Sequence, residues 1–216
     1  MYTSIDLSAL REKKGLPGGP AGSFRLPDRW TIFMGVVYLA GILIGTKAMS
    51  LAPEELRNGM LTIFSEQLTA RSAQTLQQTV FSGLLQSAVP LVLLFLMGFC
   101  ALAAPFIPAV LLFEGMGYGV SVAAMLEYTA QQNVSVWLGL LLLVPFALGC
   151  ALIWISFSAD ALKISLQCWR ILCAGNTEEP LILGQYGRRF FWSLGMAVLL
   201  SAANGVWVQL LASRIG

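Results

Sequence analysis

The chain has 216 residues, 57% hydrophobic and only 11% charged, with a formal net charge of +2 and a mean hydropathy of +0.75. A soluble domain carries about 25% charged residues because it must present a wet surface; this composition excludes a water-facing globule, and the small net charge gives no footprint for nucleic acid. The absence of histidine removes histidine bases, Ser-His-Asp triads and histidine metal ligands together.

Residues 1–29 read as a flexible basic tail carrying Arg11, Lys13, Lys14, Arg25 and Arg29, broken by the run Gly15-Leu16-Pro17-Gly18-Gly19-Pro20-Ala21-Gly22. The remaining residues, 30–216, read as one all-α domain: a polytopic membrane helix bundle of about five transmembrane helices with an amphipathic extracytoplasmic helix. The first span covers about 30–47, just long enough for a bilayer. Thr46-Lys47-Ala48 has the outline of a signal-peptidase site. The tail and apolar run before it are both long for a secretory signal, so the run is read as a retained span.

The outer segment, 49–79, is the longest polar connection. Ser50, Pro53, Glu54 and Glu55 predict a helix start, with a capping hydroxyl, an early proline and acids near the positive dipole end. Leu56, Met60, Ile63, Phe64 and Leu68 then recur at three- and four-residue steps. They form the apolar face of an amphipathic helix lying on the membrane or on another part of the protein, and Leu56, Met60, Phe64 and Leu68 are candidates for partner docking.

No charge occurs between Ser72 and Phe113, too long a stretch for one span, and Pro105 with Pro108 supplies the break. This predicts helices over 80–101 and 106–126, either as two full spans or as a re-entrant hairpin, since the turn between them is apolar. A fourth span follows over 134–157 with a kink at Pro145. A cytoplasmic segment, 158–189, starts with an interfacial helix over Asp160–Ile171, and a fifth span covers 190–212.

The tail and the connections after the second and fourth spans hold nine basic residues: Arg11, Lys13, Lys14, Arg25, Arg29, Lys163, Arg170, Arg188 and Arg189. The other side holds Lys47, Arg57, Arg71 and Arg214. Excess Lys and Arg stay in the cytoplasm, which predicts a cytoplasmic N-terminus and an extracytoplasmic C-terminus.

Glu114 is the one acid within an apolar span, an intramembrane ionisable group and so a candidate functional residue. It is protonated, paired with a basic group or part of an ion path, or else it sits in a hydrated pocket near the cytoplasmic turn and holds the hairpin in place. Gly115, Gly119 and Ala123, and likewise Gly41 and Gly45, stand four apart, the spacing that lets helix backbones approach closely in lipid. Gly117-Tyr118-Gly119 matches the centre of a potassium-channel filter, but Gly115 and Met116 stand where that filter has Thr-Val, and small packing faces explain the glycines better. Cys100, Cys150, Cys168 and Cys173 lack a fuller ligand set and read as small apolar side chains. With no phosphate-binding loop, nucleophile elbow or cluster of convergent carboxylates, neither an enzyme nor a cofactor is expected.

The order and spacing of these elements resemble the stage II sporulation protein M family. The features are a basic tail, a helix ending Gly41-Ile42-Leu43-Ile44-Gly45, a polar outer segment and a hairpin whose second helix carries Leu111-Leu112-Phe113-Glu114-Gly115-Met116-Gly117-Tyr118-Gly119-Val120. A span with Val144-Pro145-Phe146 then leads to Ile155-Ser156-Phe157-Ser158-Ala159 and a basic segment. Glu114 and Phe146 depart from the family's pattern. The resemblance implies a membrane scaffold that anchors and localises peptidoglycan-degrading partners, the stage II sporulation proteins D and P, during forespore engulfment. The alternative from the residues alone is a transporter or permease subunit built around Glu114 and the proline-broken helices.

Overall fold

A computed structural model describes residues 28–73, 75–132, 136–174 and 183–215. The tail before Asp28 and the segment 175–182 lie outside the described residues. Among the described residues the chain is helical: α1 (Arg29–Leu51), α2 (Glu54–Ala73), α3 (Leu76–Gly98), a 3-10 turn (Ala101–Ala103), α4 (Phe106–Gln132), α5 (Val136–Ala174) and α6 (Leu183–Ile215). Five of these carry stretches long and apolar enough to cross a membrane: Arg29–Leu51, Leu76–Gly98, Phe106–Ala130, Val144–Cys173 and Leu183–Val208. The molecule is an all-α membrane bundle.

Most helices outrun the spans expected from hydropathy, because backbone hydrogen bonding continues into polar turns that lipid does not select. α3 starts among Gln77 and Gln78, where the Gln78 Oε1 accepts from the Thr75 N–H at 3.2 Å. α4 runs on through Glu127, and α6 begins before Arg188 and Arg189. The largest correction concerns α5. The expected interfacial helix over Asp160–Ile171 is not separate: α5 continues unbroken through it and through Pro145. Residues 150–165 form its most deeply buried part, with Trp154, Phe157, Ser158, Ala161 and Ser165 almost inaccessible. A second correction concerns Ser50. It does not cap α2; it sits in the last turn of α1 and its Oγ donates to the Lys47 carbonyl at 2.8 Å.

The helix pairings establish directions. Gly41 lies against Gly115, and Gly119 against Ile42 and Thr46, so α1 and α4 run parallel. Gly98 meets Tyr186 while Gly205 meets Val80, so α3 and α6 run antiparallel. Trp154 reaches Ser87 and Ser165 reaches Cys100, so α5 runs parallel to α3. α5 also touches α1, α4 and α6, which places it at the centre between the α1–α4 and α3–α6 pairs. These directions fit five full crossings: α4 accompanies α1 from Tyr38 to Met49 and therefore reaches the same depth.

Candidate intramembrane site and helix joints

α1 and α4 meet without intervening side chains. A Cβ built on Gly41 would collide with the Leu112 carbonyl oxygen, on Gly45 with that of Met116, on Gly115 with that of Tyr38, and on Gly119 with that of Ile42. Four of the five residues expected to pack helices thus do so in one joint. Lipid provides no hydrophobic drive between helices, so close backbone approach supplies the dispersion contact. One turn further on, Ala123 and Ala124 meet Met49, and Leu61 of α2 closes the same cluster.

Of the two settings expected for the outer helix, that contact is the one on another part of the protein. α2 turns Leu61 and Met60 toward its own bundle, and Arg57 pairs with Glu127 of α4 at 3.1 Å. Leu56 and Ile63 remain exposed. The side chains of Phe64 and Leu68 lie outside the described residues.

A second set of joints carries no periodic mark in the sequence. Pro90, buried inside α3, removes one donor from the helix ladder. Nearby, the Trp154 indole N–H donates to the Ser87 carbonyl at 3.1 Å, the kind of support neighbouring helices give a proline-containing span. The Ser87 hydroxyl lies 3.4 Å from that of Ser201 on α6. At the turn end, the Tyr186 hydroxyl is 3.3 Å from both the Leu94 and Phe95 carbonyls, and Ser165 Oγ donates to the Cys100 carbonyl at 2.7 Å. Phe95 and Phe157 stack on Tyr186, and Phe190 stacks on Phe95. These bonds answer how an apolar turn is held: α5 and α6 supply its polar partners.

Asp28, Asp160, Lys163 and Arg189 meet at one level. Lys163 pairs with Asp28, and Arg189 Nη1 is 2.5 Å from both Asp160 carboxylate oxygens. The Lys163 ammonium beside Asp28 holds that carboxyl below its ordinary value, chiefly through their hydrogen bond. A layer of paired charges marks the edge of the apolar bundle on the N-terminal side.

Glu114 is far from that edge. It is level with Gly41, twelve residues beyond Arg29, or about 18 Å at 1.5 Å per residue, against a hydrocarbon thickness of about 30 Å. It stands eight residues into α4 from Phe106, about 12 Å at 1.5 Å per residue, and so within the apolar span rather than in the turn between α3 and α4. Its side chain is half-buried, with no ion pair or hydrogen bond to another described residue. Tyr38, Tyr118 and Cys150 lie within its electrostatic reach. Tyr118 packs against Tyr38 and Trp154 at ring separations of 6.3 and 5.9 Å. Its hydroxyl is buried without a well-formed hydrogen bond, the weakly polar Cys150 thiol being its neighbour. The arrangement offers an acid and a phenol at mid-membrane depth, with no second carboxylate or base beside them among the described residues.

Set against known protein families, curated proteins and solved structures, the chain matches none.

Proposed function

We propose that the protein is a membrane scaffold of the stage II sporulation protein M type, which anchors and localises peptidoglycan-degrading proteins, the stage II sporulation proteins D and P, during forespore engulfment. The observation that carries this reading is the use of the intramembrane polar and small residues: Gly41, Gly45, Gly115 and Gly119 join α1 to α4, while Ser87, Trp154, Ser165 and Tyr186 join α3, α5 and α6. Such side chains hold helices in fixed register, which is what a platform for other proteins requires. The excess of Lys and Arg on the N-terminal side supports a cytoplasmic tail and an outward-facing α2. In that orientation the exposed Leu56 and Ile63 face the compartment where septal peptidoglycan is cut.

The test is purification of the tagged full chain from sporulating cells. Recovery of the two hydrolases with it, and arrested engulfment in a deletion strain, are expected. Normal engulfment with no hydrolase recovered would discard the scaffold.

A transporter is the second reading, favoured by Glu114 at mid-membrane depth with no ion pair among the described residues. It requires solute or ion flux in proteoliposomes that disappears in Glu114→Gln.

A further inference from the structure

α4 uses one side of its surface to meet α1 and leaves an adjacent strip open. Glu114, Gly117 and Ser121 follow one another at steps of three and four, so they share a face. Nothing lies within 4 Å of a Cβ placed on Gly117, in contrast to the backbone contacts at Gly115 and Gly119 on the same helix. Ser121 turns its hydroxyl back onto the Gly117 carbonyl at 2.9 Å, so it presents little bulk outward. The strip is therefore a shallow channel with a carboxyl group at mid-membrane depth.

We propose that this strip is the docking face for a single transmembrane helix of another protein carrying one Lys or Arg near the middle of its span. This rests on the scaffold reading above and names the chemistry of its client. The argument is charge complementarity at depth. An uncompensated carboxylate in hydrocarbon is costly, and intramembrane ionisable groups pair with one another or with backbone. Glu114 has no such partner among the described residues, and a lipid headgroup cannot reach a position about 18 Å from the charged edge of the bundle. A second copy of this chain is the wrong partner, because a symmetric contact through this face sets Glu114 against Glu114. A helix with a central cation satisfies the acid, and Gly117 lets its backbone come close.

The test uses the full-length chain, fluorescently labelled and reconstituted in lipid vesicles. The probe is a synthetic Leu/Ala transmembrane peptide with one central Arg, and the control is the same peptide with Leu there. Energy transfer should report association of the Arg peptide about tenfold tighter than the Leu peptide, a ratio lost in Glu114→Gln and kept in Glu114→Asp. Gly117→Leu, at an exposed position with nothing within 4 Å of its Cβ, should weaken the Arg peptide although the acid remains, and Ser121→Leu repeats the test at a second, half-buried position on the strip. Equal binding of both peptides, or an Arg preference surviving Glu114→Gln, would overturn the proposal. So would association of the chain with itself that depends on Glu114. If the peptide fails while the hydrolases still co-purify, this face is wrong and the scaffold stands; if the peptide binds and no hydrolase is recovered, the face stands and the client lies elsewhere.

Discussion

The Cα of Gly119 approaches the Ile42 carbonyl so closely that a methyl group on it would overlap the oxygen, and the nearest surrounding atoms are backbone that cannot swing aside. The crossing of α1 and α4 therefore depends on the absence of side chains at this point.

Gly119→Ala should destabilise the bundle by about 1–3 kcal/mol, the usual effect of forcing extra volume into a packed contact. Gly117→Ala, two residues away but facing open space, should be neutral or stabilising by up to about 1 kcal/mol, since alanine is the better helix former. Reversible unfolding in mixed micelles, with helicity as the readout, compares the two. Equal effects would mean that α1 does not lie against this face.

The bond from Trp154 to the Ser87 carbonyl predicts a modest, directional effect. Trp154→Phe keeps an aromatic ring but removes the donor, and should lose about 0.5–2 kcal/mol. Tyr186→Phe, which strips a hydroxyl from two carbonyls at the turn end of α3, should fall in the same range. The two sites are well apart along α3, so the double variant should be nearly additive.

These joints also mark where the sequence was legible and where it was not. The α1–α4 crossing could be read because glycine at four-residue spacing has a single strong use in lipid, and Gly41, Gly45, Gly115 and Gly119 all serve it. The five crossings could be read because hydropathy measures what lipid selects. The continuation of α5 through Asp160–Ile171 could not, since hydropathy reports solvent and a helix is held by backbone bonds. Nor could the roles of Ser87, Ser165 and Tyr186, which have no periodicity and acquire partners only when distant helices meet. Leu61 does not stand out in the sequence from the neighbouring apolar positions, because the wheel of α2 gives a face without saying which edge of it lands on α4.

Acid should loosen the N-terminal edge. The Asp28 carboxyl is held below its ordinary value of 3.8 by Lys163, so its contribution is complete above that pH and is lost as pH falls through the lower folded value. Thermal melts of the solubilised protein should show a further loss of stability below about pH 4 that is smaller in Asp28→Asn. An identical pH profile in both proteins would show that the pair has no influence on stability.

Membrane topology supplies an independent check. Leu102 lies in the exposed turn between α3 and α4, and Asn58 is exposed on α2 at the opposite end of the bundle. In a chain whose four native cysteines have been replaced, Leu102→Cys and Asn58→Cys should react with an impermeant thiol reagent from opposite sides of the membrane. Reaction from the same side would require α3 to be re-entrant.

The side-by-side, parallel arrangement of α1 and α4 underlies the depth of Glu114 and the open strip proposed for docking. Disulfide cross-linking in native membranes measures it directly, with native cysteines removed and one cysteine placed on each helix. Met49→Cys should link efficiently to Ala124→Cys, which shares its cluster, and not to Ile107→Cys near the other end of α4. Efficient linkage to position 107 with none to position 124 would mean that the helices run in opposite directions and would contradict the account.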